Sequence, residues 1–313
     1  MYRYVARRLL ATIPVLGVVA LVVFGILHLS PGDPAALIAG DSATPQQIAV
    51  MRAKLGLDRP VWEQFGSWLW SVVHGDLGIS IFSNQPVTRL IGQRLEPTIA
   101  LTITTTIFTV LVAVPIGVIA AWRAGTWIDR TVMGFAVFGF SFPVFVVGYL
   151  LIYLMAMTLG WLPVQGYRAL STGFGPFIYH LILPSVALGI SFMALIARIT
   201  RTSVLEVLNQ DYIRTARSKG LAMWQVLLYH ALPNAAVPIV TIIGVGIAVL
   251  IGGVVVTESV FAIPGLGRLV VDSILSRDYP VIQGVLLIFA GVYVGINLAI
   301  DLLYVALDPR IRY

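Results

Sequence analysis

The sequence contains no cysteine, which excludes disulfide bonds, thiolate metal sites and cysteine nucleophiles. Charged residues are also scarce, at 11% of 313 residues, whereas soluble globular proteins carry about 25%. Hydrophobic residues make up 58% of the chain. Since so few charges cannot cover a water-exposed surface, we predict that most of this surface lies in hydrocarbon.

Catalytic and phosphate-binding motifs are absent as well. The sequence has no G-x-x-x-x-G-K-[ST], no H-E-x-x-H and no G-x-S-x-G, so it carries no phosphate-cradling loop, zinc-protease helix or nucleophile elbow. Its four histidines are scattered: His28, His74, His180 and His230. We therefore expect no catalytic residue, metal or cofactor on this chain, which argues against a membrane enzyme.

Six long apolar runs divide the sequence, and each can cross about 30 Å of hydrocarbon at 1.5 Å per residue. They predict an all-α, polytopic membrane protein with six transmembrane helices. The predicted spans are Leu9–Leu29, Thr98–Ala121, Val132–Leu159, Phe177–Ile199, Ala235–Thr257 and Val281–Leu307. The basic residues before the first run also suit a signal peptide, but its length of about 20 residues favours a retained helix.

Arginine and lysine in the short loops predict the orientation, because cytoplasmic loops carry the excess of these residues. With the N-terminus inside, the short outer loops hold only Arg168, Arg268 and Arg277. The inner side then holds twelve basic residues: Arg3, Arg7, Arg8, Arg123, Arg130, Arg198, Arg201, Arg214, Arg217, Lys219, Arg310 and Arg312. Both termini are therefore predicted to be cytoplasmic. The net charge of +6 follows from this topology, and we expect no nucleic-acid partner.

A polar, proline-rich segment follows the first span and predicts a small extracytoplasmic cap. Thr44, Pro45 and Gln47 form the pattern of a capping box with proline at the first helical position. A second, amphipathic helix is predicted over Val61–Val73. Its tryptophans are typical of a membrane–water boundary, but we prefer a packed cap outside the membrane.

The cytoplasmic segment between the fourth and fifth spans is unusually long and basic. Ile213, Ala216, Leu221 and Trp224 stand at helical spacing, which predicts a short helix. Gly220 can end that helix in the left-handed conformation. On charge alone, a solvated basic loop is the favoured interpretation of this segment.

The spacing of this loop resembles that of bacterial ABC importer permeases, whose pattern is E-A-A, three residues, G, nine residues, I-x-L-P. Here Arg214–Ala216 stands at E-A-A, and Gly220, Leu232 and Pro233 match, while His230 replaces the isoleucine. The departures have the form seen in peptide permeases. Further segments in order are similar to the dipeptide/oligopeptide permease B-type subunit: Arg7–Leu9, Pro31–Pro34, His74–Gly78, Pro264–Arg268, Arg277–Pro280 and Asp308–Arg312.

The resemblance implies a type I ABC importer transmembrane domain working by alternating access. Its expected partners are a homologous second permease, two ATP-binding subunits that hold ATP and Mg, an extracytoplasmic peptide-binding protein and membrane lipid. It implies a transmembrane helix at 1–30, the cap at 31–95, a five-helix core at 96–307 with a coupling loop at 203–234, and a tail at 308–313. The residues expected to contact the ATPase are Tyr212, Arg214, Thr215, Ala216, Arg217, Lys219, Gly220 and Leu221.

The residues that are candidates for a gate or pore have less distinctive sequence patterns than the coupling loop. They are Ser141, Pro143, Gly252, Glu258, Pro264 and Gly265. For the Ser141–Pro143 break, a hinge and a simple kink both fit. Glu258 near the end of a span suits either a functional role or a local ion pair or cap, since a side chain at this position can reach the membrane interface.

The predicted function is import of di- or oligopeptides across the cytoplasmic membrane, coupled to separate ATPases. Nickel or glutathione is the alternative substrate within the same transporter class. An ion-gradient-driven secondary transporter is the alternative of another class, and the near absence of charge in mid-span argues against it.

Overall fold

The computed structural model describes residues 2–29, 35–36, 43–54 and 56–307. The motif predicted at Pro31–Pro34 and the tail predicted at 308–313 lie outside these residues. The described chain is helical, and an isolated bridge between Ile79 and Pro86 is the β pairing within it. Its principal helices are α1 (Tyr2–Leu29), α2 (Pro45–Lys54), α3 (Val61–Val73), α4 (Val87–Trp122), α5 (Trp127–Ser141), α6 (Val144–Leu151), α7 (Phe174–Leu208), α8 (Asp211–Ser218), α9 (Ala236–Val260), α10 (Leu266–Leu275) and α11 (Tyr279–Leu307).

Within the described residues, five helices are long and apolar enough to cross a membrane: α1, α4, α7, α9 and α11. A sixth span requires α5 and the segment beginning with α6 to be taken together. The all-α fold and the spans are therefore confirmed, with longer helices than predicted at α4 and α7. Prolines inside these helices, such as Pro115 and Pro184, are tolerated because neighbouring helices satisfy the freed backbone groups.

The predicted single helix at Val132–Leu159 is wrong in shape. The chain bends by 104° between α5 and the helical segment that starts at Val144. Phe142 and Pro143 are extended at the break, and a π-helical turn, Ile152–Thr158, follows α6. Proline at this position removes a helical hydrogen bond and holds the preceding residue in the β region, which explains why the helix stops there.

The chain forms two compact units, the first comprising Met1–Leu95 with Leu269–Val294. In this unit the capping box is confirmed: the Thr44 N–H donates to Gln47 Oε1 at 2.8 Å and the Gln47 N–H donates to Thr44 Oγ1 at 3.3 Å. The Asp278 carboxylate accepts hydrogen bonds from the Ser80 hydroxyl and the Ile81 N–H. These bonds join the loop after α3 to the start of α11.

The second unit comprises Glu96–Arg268 with Gly295–Tyr313. One buried cluster joins α4, α7 and α9 through leucines and through Phe261 beyond α9. A second cluster joins the C-terminal ends of α4 and α7 to the start of α9. Glycine permits close approach between these helices, since a Cβ at Gly189 would lie 2.7 Å from Thr109 Oγ1.

Candidate functional site

The basic loop after α7 contains a separate short helix, α8, which spans Asp211–Ser218. Ile213 and Ala216 are buried, and α8 packs against a π-helical turn at Val226–Ala231. The other residues expected to contact an ATPase are exposed: Tyr212, Arg214, Thr215, Arg217, Lys219, Gly220 and Leu221. Thus the helix is held by two buried apolar residues and presents a basic face.

Gly220 ends α8 in a left-handed turn with φ of 79°. Its N–H donates to the Arg217 carbonyl at 2.9 Å, and the Leu221 N–H donates to the Ala216 carbonyl at 3.4 Å. This pair of bonds is the Schellman motif, which requires a residue that tolerates positive φ. The predicted role of Gly220 in ending the helix is therefore confirmed.

Leu221 and Trp224 do not extend the buried face of α8, contrary to the predicted spacing. The left-handed turn at Gly220 redirects the chain, and the two side chains are 36% and 56% exposed. Tyr229 is exposed as well, at 68%. The loop thus presents aromatic and aliphatic side chains beside the basic residues, a combination that suits a protein interface.

The charges of α8 are available to a partner. Arg214 lies 3.6 Å from Asp211, but both side chains are more than four-fifths exposed. An exposed ion pair of this kind contributes at most about 1 kcal/mol, so it does not hold the guanidinium in place.

A partly buried ion pair joins α7 to the first turn of α5. Arg201 Nε and Nη2 donate to Asp129 Oδ1 and Oδ2 at 2.5 and 2.7 Å, and the Gly125 N–H donates to Oδ2 at 2.9 Å. Asp129 is 4% exposed. This two-point pairing fixes the turn to the helix that leads directly into α8.

Glu258 at the end of α9 forms the second notable cluster, and its side chain lies away from the surface. The residue is fully buried. Thr98 Oγ1 donates to Glu258 Oε1 at 2.5 Å, and the Arg268 N–H donates to Oε2 at 3.0 Å. The Leu266 N–H in turn donates to Thr98 Oγ1 at 2.8 Å. The carboxylate therefore organises the turn from Glu258 to Arg268, which we call the Glu258 turn.

The Glu258 turn is tightly packed and locally strained. Ala262 has φ of 50°, a left-handed conformation that costs a residue with a side chain about 1–2 kcal/mol. A Cβ at Gly265 would collide with the Glu258 carboxylate. One at Gly267 would lie 2.5 Å from the Val255 Cα. The two glycines are therefore explained by the close approach of the loop to α9.

Replacing Gly267 with alanine should destabilise the protein by about 1–3 kcal/mol, the usual cost of overpacking. The obstructing atom is the Val255 backbone, which cannot rotate away as a side chain can. Gly252→Ala is the matched control, because its Cβ would meet nothing within 4 Å and alanine favours a helix by about 1 kcal/mol. Thermal unfolding of both variants in detergent checks the difference. Equal midpoints would contradict the packing described here.

The remaining gate and pore candidates lie apart from the Glu258 carboxylate. Gly252 belongs to an exposed stripe on α9 with Val245, Val249 and Val256. Ser141 and Pro143 are exposed at the bend after α5, where the Ser141 hydroxyl donates to the Val137 carbonyl. Pro264 is exposed in the Glu258 turn.

Glu96 at the start of the second unit holds the loop before α7. Its Oε1 accepts hydrogen bonds from the Tyr167 hydroxyl at 3.0 Å and the Leu170 N–H at 3.1 Å. Burial, together with the hydrogen bond to Glu96 and the charge of Glu96, raises the pKa of Tyr167 above its usual value. The phenol therefore keeps the proton that it donates.

The sequence analysis did not single out Asp129, Thr98 and Glu96, which form hydrogen bonds with Arg201, Glu258 and Tyr167. The one available signal was an acidic residue in or beside an apolar run, which usually has a specific partner. Nothing in the local pattern identifies that partner, because Thr98 and Glu258 are far apart along the chain.

Comparison with known proteins identifies the family. The model of the binding-protein-dependent transport system inner membrane component matches residues 113–313, and the model of its N-terminal component matches residues 1–102. A probable peptide ABC transporter permease, protein y4tP of Sinorhizobium fredii, is 53% identical over 99% of both chains. The glutathione transport system permease protein GsiC of Escherichia coli K12 is 46% identical over the full length of both.

The fold is shared with a solved transporter. The structure of the MetNI methionine ABC transporter in inward-facing conformations matches with a TM-score of 0.59 and 22% identity, over 70% of this chain and 96% of that one. This likeness supports the type I transmembrane fold. The chain therefore belongs to the binding-protein-dependent transport system inner membrane component family and is a multi-pass inner-membrane permease subunit of an ABC importer.

Proposed function

We propose that this permease subunit imports short peptides by ATP-driven alternating access, with α8 as its contact for an ATPase subunit. The observation that carries the proposal is the exposed basic face of α8, directly after the long helix α7. Such a surface favours a partner with an acidic rim. Because α8 is anchored through Ile213 and Ala216, displacement of the helix moves the packed ends of the spans with it.

The proposed complex contains this chain, a homologous second permease, two ATP-binding subunits and an extracytoplasmic binding protein. ATP and Mg bind to the ATP-binding subunits, and their hydrolysis takes place there. The exposed stripe Val245, Val249, Gly252 and Val256 on α9 supplies an apolar surface with a small residue, which suits a neighbouring helix of the second permease. The translocation pathway lies between the two permeases.

Peptides are the preferred substrate class because a similar permease, from Sinorhizobium fredii, is named for peptides. Glutathione is the second candidate, since permeases named for glutathione transport are 46–47% identical over the full length. Both molecules are small, amide-containing and zwitterionic. Nickel has no support from these names.

Uptake into proteoliposomes tests the substrate. The full complex is reconstituted with ATP inside and its binding protein outside, and a labelled dipeptide, labelled glutathione and ⁶³Ni²⁺ are each supplied alone. ATP-dependent uptake of the dipeptide above glutathione is expected. Preference for glutathione would move the assignment to the second candidate, and uptake of neither would contradict both.

Gly220→Trp tests the coupling role of α8. Positive φ is strained for tryptophan, so the Schellman turn should be lost and ATP-driven uptake should fall while ATP hydrolysis continues. Gly160→Trp is the matched control, because Gly160 also has positive φ (66°) and open space around its Cβ. Gly220→Asn should retain partial uptake, since asparagine tolerates this conformation. Unchanged uptake by Gly220→Trp at normal expression would overturn the proposed role.

A further inference from the structure

The helix α3 is fixed to the outer end of α1 by an aromatic cluster. Phe24 of α1 lies 5.3 Å from Phe65 and 5.6 Å from Trp68, between ring centroids. His28 Nε2 lies 3.2 Å from Gln64 Oε1, within hydrogen-bond distance. One face of α3 is thus accounted for by packing on the transmembrane helix.

A second apolar face of α3 is exposed. Trp62, Gly66, Trp70 and Val73 follow one another at intervals of four, four and three residues, so they form one stripe along the helix. We call it the Trp62 stripe. Trp62 is 76% exposed, Trp70 70% and Val73 73%.

The polar residues of α3 occupy the remaining arc. At 100° per residue, Ser67 and Ser71 lie outside the Trp62 stripe, on the side away from Trp62, while Glu63, two turns before Trp70, lies at the edge of the stripe. The apolar arc is therefore wider than the contact with α1 requires. Two indoles exposed to this degree on one stripe are unfavourable in water but typical of a membrane interface, where the ring is apolar and its N–H stays hydrated.

The surface of α1 shows what lies next to this stripe. Leu21, Val22 and Leu29, in the same turns of α1 as Phe24 and His28, are 60% or more exposed. These side chains belong to a helix that is long and apolar enough to span a membrane, where hydrocarbon is the natural solvent for exposed apolar side chains. Because α3 packs on these same turns, the lipid surface around α1 is adjacent to α3.

We propose that α3 is an interfacial helix, with the Trp62 stripe inserted among the lipid head groups and upper acyl chains of the outer leaflet. It anchors the cap to the bilayer, with Ser67 and Ser71 facing away from the lipid and Glu63 at the edge of the stripe. The arrangement is that of an amphipathic helix lying at a membrane surface, here without a basic polar face, so binding rests on apolar area and indoles.

Site-directed spin labelling tests this proposal, and the absence of native cysteine makes single-cysteine variants direct. Trp62→Cys, Trp70→Cys and Val73→Cys probe the stripe, while Ser67→Cys and Ser71→Cys are matched controls on the same helix. Each variant is labelled with a nitroxide in the assembled transporter in liposomes. Power saturation with oxygen and with a water-soluble nickel chelate reports immersion in lipid.

The depth parameter should be positive for the three stripe positions and negative for the two controls. Equal access of the nickel chelate to all five positions would overturn the proposal and indicate a fully solvated cap. Protection of the stripe from both reagents only when the binding protein is added would also overturn it, and would indicate a protein docking surface. Neither outcome bears on the substrate or coupling assays.

Discussion

Replacing Glu258 with alanine should destabilise the protein by about 3 kcal/mol or more, since two buried donors each lose an acceptor at about 1–3 kcal/mol. The donors are the Thr98 hydroxyl and the Arg268 N–H. Removal of the carboxylate also leaves a cavity that the loop cannot fill without moving. We therefore expect a lower unfolding temperature in detergent and loss of ATP-driven uptake in liposomes.

A graded series separates the hydrogen bonds from the volume. Glu258→Gln keeps the shape but replaces one acceptor oxygen with a donor amide, so it should fall between the wild type and Glu258→Ala. Thr98→Val removes both the bond to Glu258 and the acceptor of the Leu266 N–H, and should resemble Glu258→Gln. Glu63→Ala, at an exposed position on α3, is the control for losing a glutamate. An unfolding temperature of Glu258→Ala equal to that of Glu63→Ala would contradict the described network.

We propose the Glu258 turn as a gate because a strained residue and a buried carboxylate meet in it. The strained Ala262 and the carboxylate oppose each other: the first favours release of the turn and the second holds it. This physical argument supports the gate assignment of Glu258, Pro264 and Gly265, which remains a proposal.

The elements that follow local rules could be predicted from the sequence. Apolar runs predict the spans because bilayer thickness fixes their length. The capping box at Thr44 and the left-handed turn at Gly220 were predicted because each depends on residues close together in the chain. The predicted buried face of α8 is correct for Ile213 and Ala216, which precede the turn at Gly220. It is wrong for Leu221, which follows that turn.

Features that depend on contacts between distant segments could not be predicted. Hydropathy records that Val132–Leu159 is apolar, but not the angle at which the chain leaves Pro143. An isolated glutamate near a span end has the same pattern whether it faces solvent or, as Glu258 does, a threonine on another helix. These outcomes are decided by packing, for which single-sequence periodicity carries no information.

Disrupting the pair of Asp129 and Arg201 should have the other large effect. Asp129→Ala leaves a guanidinium with 23% side-chain exposure without its carboxylate. We expect a cost of about 2–3 kcal/mol, between that of exposed pairs and that of fully buried ones. Asp129→Asn should lose less, because its amide oxygen still accepts a bond. Chemical unfolding monitored by tryptophan fluorescence measures both, with Arg198→Ala, one turn earlier and exposed, as the control.

The geometry of the pair makes a sharper test possible. Arg201→Lys keeps the charge but cannot donate two parallel bonds, so it should recover only part of the stability. The swap of Asp129→Arg with Arg201→Asp should be more stable than the sum of the two single variants, because it restores the attraction although not the bond from Gly125. Additive effects would show that the contact contributes no coupling energy.

The ion pair should also affect transport, since Arg201 lies on the helix that leads into α8. We expect uptake per ATP hydrolysed to fall in Asp129→Arg and in Arg201→Asp, whereas loss of stability alone would lower uptake and hydrolysis together.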